Sequence, residues 1–73
     1  MPSWSDLRRY LKNNPGWECF KHTDHDFYRK KLPNGKVLIT KVSRGTGEIG
    51  SGLWRHILKH ELRITQEEFN AGL

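Results

Sequence analysis

Apolar residues near the start of the chain recur with the period of a helix. They lie three and four positions apart and so share one face: Trp4, Leu7 and Leu11. Ser3 can cap this segment, and the stretch Asn-Asn-Pro-Gly at 13–16 ends it, since proline cannot continue a helix. The pattern predicts a helix over residues 3–13.

The middle of the chain changes to the two-residue alternation and β-branched content that are typical of strands. Asn34 and Gly35 form the dipeptide that tight hairpin turns favour. The pattern predicts three short antiparallel strands, near residues 17–22, 25–32 and 36–43. Phe27 and Tyr28 are adjacent in the middle strand, so the pattern leaves open which of the two faces the core.

Apolar positions return to helical spacing after a glycine-rich loop at 44–52. They form one broad face: Leu53, Trp54, Ile57, Leu58 and Leu62. This face predicts a helix over residues 52–62. Glu61 falls inside the apolar arc, which predicts that the helix frays there. Thr65 and Glu68 have the spacing of a capping box and predict a short helix at 66–71.

The order of the predicted elements is α-β-β-β-α with a short extra C-terminal helix. Sheet and helices must each bury one face, and helices packed on one side of the sheet satisfy both. A chain of 73 residues has room for one small core. We therefore expect a two-layer α+β fold in a single domain over residues 1–73.

The charge of the chain favours an anionic partner. Thirteen Lys and Arg against eight Asp and Glu give a formal net charge of +5. A small basic domain can bind nucleic acid, although the same charge can serve solubility alone. The candidate RNA-binding residues are Lys30, Lys31, Lys36, Lys41, Arg44, Arg55, His56 and Lys59.

Cysteine content and hydropathy indicate an ordinary cytosolic protein. The single cysteine, Cys19, excludes an internal disulfide, and there is no Cys-x-x-Cys pair to hold zinc. The first ten residues lack the apolar run of a signal peptide, and no stretch is long and apolar enough to cross a membrane. We expect a cytoplasmic location without membrane association.

Two patterns that resemble ligand sites fail on inspection. His56 and His60 have the i, i+4 spacing of zinc ligands, but Ile57 stands where a zinc protease has its glutamate, and no third ligand is evident. The loop at 44–52 has neither the Gly-Lys-Ser/Thr of a P-loop nor the βαβ context of a dinucleotide site. The sequence predicts no metal and no cofactor.

The segment His-Thr-Asp-His-Asp-Phe-Tyr-Arg-Lys at 22–30 carries the sharper candidate, His25. RNA cleavage needs no metal if a general base takes the proton of a 2′-hydroxyl, and histidine suits this task. Nearby cations would stabilise the charge on the phosphorane. The alternative is that His25 is polar surface. His22 is interpreted as a bystander.

The chain after Gly16 resembles the HicA family of toxins, the mRNA-cleaving half of a bacterial toxin–antitoxin pair. The similarity is carried by short segments in order. These are Thr-Asp-His-Asp-Phe-Tyr at 23–28, Pro-Asn-Gly at 33–35, Val-Leu-Ile-Thr-Lys-Val-Ser at 37–43, Gly-Glu-Ile-Gly-Ser-Gly at 47–52, Gly-Leu-Trp-Arg-His-Ile-Leu-Lys at 52–59 and Ile-Thr-Gln-Glu-Glu-Phe at 64–69.

The resemblance implies a fold like that of double-stranded-RNA-binding domains, metal-independent endoribonuclease activity on mRNA, and neutralisation by a HicB-type antitoxin. It makes His25 the catalytic histidine by position. The chain differs from the family pattern at Thr23 and Asp24, where small residues are usual, and at Ser43, where many members have a second histidine. A non-catalytic RNA-binding module and a protein-interaction domain are the alternatives.

Overall fold

The computed structural model describes residues 2–45 and 47–73, so Met1 and Thr46, the latter inside the predicted loop, lie outside the described residues. The elements are α1 (Trp4–Asn13), β1 (Trp17–His22), β2 (His25–Lys31), β3 (Val37–Ser43), α2 (Ser51–His56), a π-helical segment (Ile57–Leu62) and α3 (Gln66–Ala71). The protein is a small α+β domain, as predicted. Within the described residues, no helix has the length and apolar character needed to cross a bilayer.

A complete capping box starts α1. The Asp6 amide donates to Ser3 Oγ at 3.1 Å, and the Ser3 amide donates to the Asp6 carboxylate at 3.0 Å. The backbone hydrogen bond from Ser3 lowers the pKa of Asp6. Leu7 and Leu11 are buried, as the helical spacing predicted. An aspartate therefore substitutes here for the usual glutamate of the motif.

The three strands form an antiparallel sheet in the order β1-β2-β3. The turn between β2 and β3 contains Gly35 at φ 88°, a conformation that glycine adopts without strain. Asn34 accepts a hydrogen bond from the Lys36 amide at 3.0 Å, which fixes the turn. The Asn-Gly signal thus set the register of this hairpin.

Burial alternates along β2 and β3, so one face of the sheet lies against the core. Tyr28 is 6% exposed, whereas Phe27 is only half-buried, which settles the open question about the middle strand. The buried apolar residues are Leu7, Tyr10, Leu11, Trp17, Tyr28, Leu38, Val42, Ile49, Trp54, Ile57, Leu62 and Phe69. We call the opposite face, which includes Phe27, Ile39 and Val37, the outer face.

The prediction that the second long helix frays at Glu61 is wrong. The last six residues of that helix widen to π-helical spacing and continue to Leu62, which is buried. Glu61 is half-buried, and its Oε1 accepts a hydrogen bond from Thr40 Oγ1 at 2.8 Å. The carboxylate has a polar partner on the sheet, so its place in the apolar arc costs little.

The short third helix begins as predicted. Thr65 and Glu68 form a reciprocal capping box, with both hydrogen bonds at 3.1 Å. Phe69 is buried between two aromatic rings, with its centroid 5.0 Å from that of Tyr10 and 4.6 Å from that of Trp54. This packing ties α3 to both α1 and α2.

Candidate functional site

His25 lies at one end of the sheet, beside a cavity. It is the first residue of β2 and pairs with Ser43, the last residue of β3. The cavity has a volume of about 330 Å³. Its walls come from α1, the sheet and the second helical region: Trp4, His25, Lys41, Ser43, Leu53, Ile57 and Glu61.

His25 is half-buried, and one of its two ring nitrogens is buried without a hydrogen-bond partner in the part of the chain that the structure describes. Nδ1 is buried and has no hydrogen-bond partner among residues 2–45 and 47–73. A buried polar atom without a partner is uncommon, and a catalytic role is one of the explanations for it. His25 is one of the residues that line the cavity, so its ring is available to a ligand bound there.

A carboxylate and a cation share the cavity with His25. Glu61 accepts a hydrogen bond from Thr40. The other carboxylate oxygen of Glu61, Oε2, lies 3.6 Å from Nε2 of His56. Lys41 follows Thr40 in β3 and is exposed. The cavity therefore combines an imidazole, an ammonium group and a carboxylate, which can exchange protons with a substrate and stabilise a phosphate.

A buried carboxylate next to His25 was not foreseen from the sequence. Asp26 is 7% exposed. Its oxygens contact three partners: Arg8 Nε at 3.7 Å, Arg44 Nη2 at 3.3 Å and His22 Nδ1 at 2.5 Å. Burying a carboxylate is costly unless opposite charges or hydrogen bonds compensate it, and these three side chains do so. We call Arg8, His22, Asp26 and Arg44 the Asp26 cluster.

The Asp26 cluster fixes the end of the sheet that carries His25. Arg8 also donates to the backbone carbonyl of Ser43 at 3.0 Å, so α1 is tied to both β2 and β3. His25 lies between Asp26 and the two-residue connection from β1 to β2 (Thr23 and Asp24), and it pairs with Ser43. His22, interpreted from sequence as a bystander, contacts the Asp26 carboxylate through Nδ1.

One group of possible metal ligands lies in the same region. Donor atoms of Cys19, His22 and Asp26 are all within 4.8 Å of one another. Thiolate, imidazole and carboxylate are ligands that zinc accepts. However, Asp26 already faces Arg8 and Arg44, whose charges oppose a cation. That the protein uses no metal stays a prediction.

The predicted RNA-binding residues do not form one surface. Lys41 lines the His25 cavity, Arg44 contacts Asp26, and His56 contacts Glu61. Arg55 and Lys59 are exposed on α2 and the π-helical segment.

Three other predicted cations lie towards the far end of the sheet. Lys31 pairs with Val37, six residues from the His25–Ser43 pair and therefore about 20 Å away along the strand. Lys36 is in the adjoining turn, and the side chain of Lys30 lies against Gly16. Among the predicted cations, Lys41 therefore lines the His25 cavity, whereas Lys30, Lys31 and Lys36 lie away from it.

The chain matches no model of a known protein family, and no curated protein or solved structure is significantly similar to it. The resemblance to HicA toxins therefore remains a prediction that depends on the motifs of the chain and the chemistry around His25.

Proposed function

We propose that the protein is a HicA-like toxin with a fold of the double-stranded-RNA-binding type, and that it cleaves mRNA without a metal. The observation that carries the proposal is the cavity in which His25 meets Lys41 and Glu61. His25 is the general base. Its ring lines the cavity, and its backbone is paired with Ser43 next to Asp26.

The proposed reaction follows from the chemistry of RNA. Nε2 of His25 accepts the proton of a 2′-hydroxyl, and the oxygen attacks the adjacent phosphorus. The bond to the 5′ oxygen breaks, and that oxygen takes a proton from water, which leaves a 2′,3′-cyclic phosphate on one product and a 5′-hydroxyl on the other. Lys41, which lines the same cavity, stabilises the negative charge of the phosphorane in this proposal.

The proposed partner is a HicB-type antitoxin that blocks the cavity. Two features support a protein cover. Leu53 is 47% exposed at the cavity wall and offers apolar contact. Lys41, at the same cavity, is exposed and would attract acidic groups. An antitoxin seated there would exclude RNA from His25 by steric blocking.

The test compares His25→Ala with a matched control, His60→Ala. His60 is exposed, on the π-helical segment, and does not line the His25 cavity. We expect His25→Ala to lose growth arrest and RNA degradation when the protein is expressed in bacteria, while His60→Ala keeps both. Circular dichroism of the purified variants verifies that both fold. Equal toxicity of His25→Ala and wild type would show that the assignment is wrong.

A non-catalytic RNA-binding module is the second candidate. It is favoured by the exposed Asp24, which precedes His25 in the sequence. The negative charge of Asp24 would oppose a phosphate at the proposed cleavage position, while RNA could still bind to cations elsewhere on the surface. If the wild-type protein binds RNA but leaves it intact at every pH between 5 and 9, this second function is the better account.

A further inference from the structure

The outer face of the sheet carries two aromatic rings that the core does not need. Phe20 is 41% exposed and Phe27 is half-buried, and their ring centroids are 6.2 Å apart at an interplanar angle of 55°. Phe20 occupies the irregularity between Cys19 and Lys21, where β1 has one extra residue relative to β2. Such a bulge can redirect a side chain.

Cations lie over both rings. Lys21 Nζ is 5.4 Å from the ring centre of Phe27, and the guanidinium carbon of Arg29 is 5.2 Å from that of Phe20. Arg29 also pairs with Glu18 at 2.5 Å, which holds its guanidinium over the ring. Exposed rings beside cations are the features with which proteins bind single-stranded nucleic acid, because bases stack on the rings and phosphates meet the cations.

We infer that Phe20 and Phe27, with Lys21 and Arg29, form a stacking site for unpaired bases of single-stranded RNA. A duplex would not fit this chemistry, because its bases are already stacked inside the helix. The cations favour RNA as the ligand of this part of the outer face, because they can meet its phosphates. A purely apolar protein partner would gain nothing from charges placed over the rings.

The stacking site is continuous with the His25 cavity. Phe27 lies two residues from His25 in β2, about 7 Å along the strand. Phe27 pairs with Lys41 of β3, which lines the cavity. An RNA strand stacked on Phe27 therefore brings a neighbouring phosphate to Lys41 and His25. The inference rests on the proposed function in this respect, since it assigns a binding surface to the RNA that His25 would cleave.

The experiment measures binding of a fluorescent single-stranded RNA by polarisation, in a His25→Ala background so that cleavage does not interfere. We expect Phe20→Ala and Phe27→Ala each to weaken binding by about 10-fold, the loss typical of one stacked base. Phe27→Tyr keeps the ring and should bind as the parent does. Val37→Ala, on the same face at the far end of the sheet, is the matched control and should change binding by less than about 2-fold.

Two outcomes overturn the inference. One is RNA affinity that is unchanged in both phenylalanine variants. The other is a loss that is equal for a duplex and a single strand, because stacking of unpaired bases requires a difference between them. If the phenylalanine variants bind RNA normally but fail to bind a co-expressed protein partner, the surface serves that protein instead, and the inference is again wrong.

Failure of this inference and failure of the proposed function give different results. If the wild type does not cleave RNA but binding depends on both rings, the cleavage proposal fails and the stacking site stands. If cleavage depends on His25 while the phenylalanine variants bind and cleave normally, only the stacking site fails.

Discussion

The two ends of the β2–β3 hairpin differ in how their polar residues are used. At the His25–Ser43 end, a carboxylate is buried among two arginines and a histidine, and a cavity opens beside it. At the Lys31–Val37 end, the chain makes an exposed turn through Asn34 and Gly35, and Val37 is 49% exposed. One end is built from long-range contacts, and the other from local turn chemistry.

This difference indicates where the protein needs a fixed geometry. The conformation of a tight turn is set by its own residues. Here Asn34 supplies a hydrogen bond to the backbone, and Gly35 supplies the positive φ. The Asp26 cluster instead joins residues that are far apart in sequence, at the cost of removing a charge from water. We infer that this cost is tolerated because the cluster positions the strand ends around His25.

The largest effect on folding is expected for Asp26→Ala. The change leaves Arg8 and Arg44 without their shared carboxylate, and breaking a buried charge pair costs about 3 kcal/mol or more of unfolding free energy. Both arginines keep some access to water, which limits the loss to about 2–3 kcal/mol. Urea unfolding followed by circular dichroism measures it.

The control for Asp26→Ala is Lys36→Ala at the opposite end of the hairpin. Lys36 is exposed in the turn, so its loss should stay within about 0.5 kcal/mol. An equal loss of unfolding free energy in Asp26→Ala and Lys36→Ala would show that long-range charge contacts do not stabilise the His25–Ser43 end.

A smaller effect is expected for Thr40→Val. Thr40 is 1% exposed and donates to Glu61, so the isosteric change removes one hydrogen bond and leaves the carboxylate short of a donor. The expected loss of unfolding free energy is about 1–2 kcal/mol. RNA cleavage should also fall, because Glu61 lines the His25 cavity. If the stability and the cleavage rate of the variant both match those of the wild type, the hydrogen bond from Thr40 to Glu61 contributes to neither property.

The elements of the fold could be predicted from the sequence because each has a local cause. The spacing of Leu7 and Leu11 marks α1, and the Asn34–Gly35 pair fixes the hairpin. The π-helical widening at Ile57–Leu62 could not be predicted. Over only six residues, the apolar pattern of a π-helix cannot be distinguished from that of an α-helix.

The candidate site was predicted only in part. His25 stood out by its neighbours in sequence, but the burial of Asp26 depends on Arg8 and Arg44, each 18 residues away along the chain. Phe27 and Tyr28 compete equally in the strand pattern, and only the packing of the helices decides between them. What the sequence lacks in both cases is information on which distant elements meet.

The pH dependence of stability should have a marked alkaline limb. Burial raises the pKa of both Tyr10 and Tyr28, so the folded state holds these protons more tightly than the unfolded chain. Their contribution is complete below the unfolded pKa of about 10 and is lost as pH rises through the higher folded values. We expect Tm to fall above about pH 10, with tyrosinate absorbance rising in the same transition. Tyrosinate absorbance that rises fully while the protein stays folded would contradict this account.

The acid limb should depend on the capping box of α1. The pKa of Asp6 is lowered by the backbone hydrogen bond from Ser3, so its contribution is present above the unfolded value and is lost as pH falls through the folded value. We expect Asp6→Asn to flatten the dependence of Tm on pH below about pH 4. Glu67→Gln, an exposed carboxylate elsewhere, serves as the control. Parallel acid limbs for Asp6→Asn and wild type would exclude this source.

The smallest effects distinguish cations at the two ends of the sheet. If about four phosphates are contacted, log Kd against log salt should have a slope of about 3 for single-stranded RNA. Lys41 lines the His25 cavity, and Lys41→Ala should reduce that slope by about 0.7, the contribution of one phosphate contact. Lys31→Ala, about 20 Å away along the strand, should leave it unchanged if RNA is bound only at the His25 end. An equal reduction by both variants would show that RNA spans the whole sheet.

The most direct test of the central claim is the chemistry of the RNA ends made by the purified protein. If His25 removes a 2′-hydroxyl proton, the wild type should leave 2′,3′-cyclic phosphate ends in the presence of a chelator, and mass spectrometry can detect them. A substrate with a single 2′-deoxynucleotide at the cleavage position should stay intact. His25→Ala should cleave the natural substrate at least about 100-fold more slowly than the wild type does. Cleavage of the deoxy substrate at the normal rate, or undiminished cleavage by His25→Ala, would contradict the account.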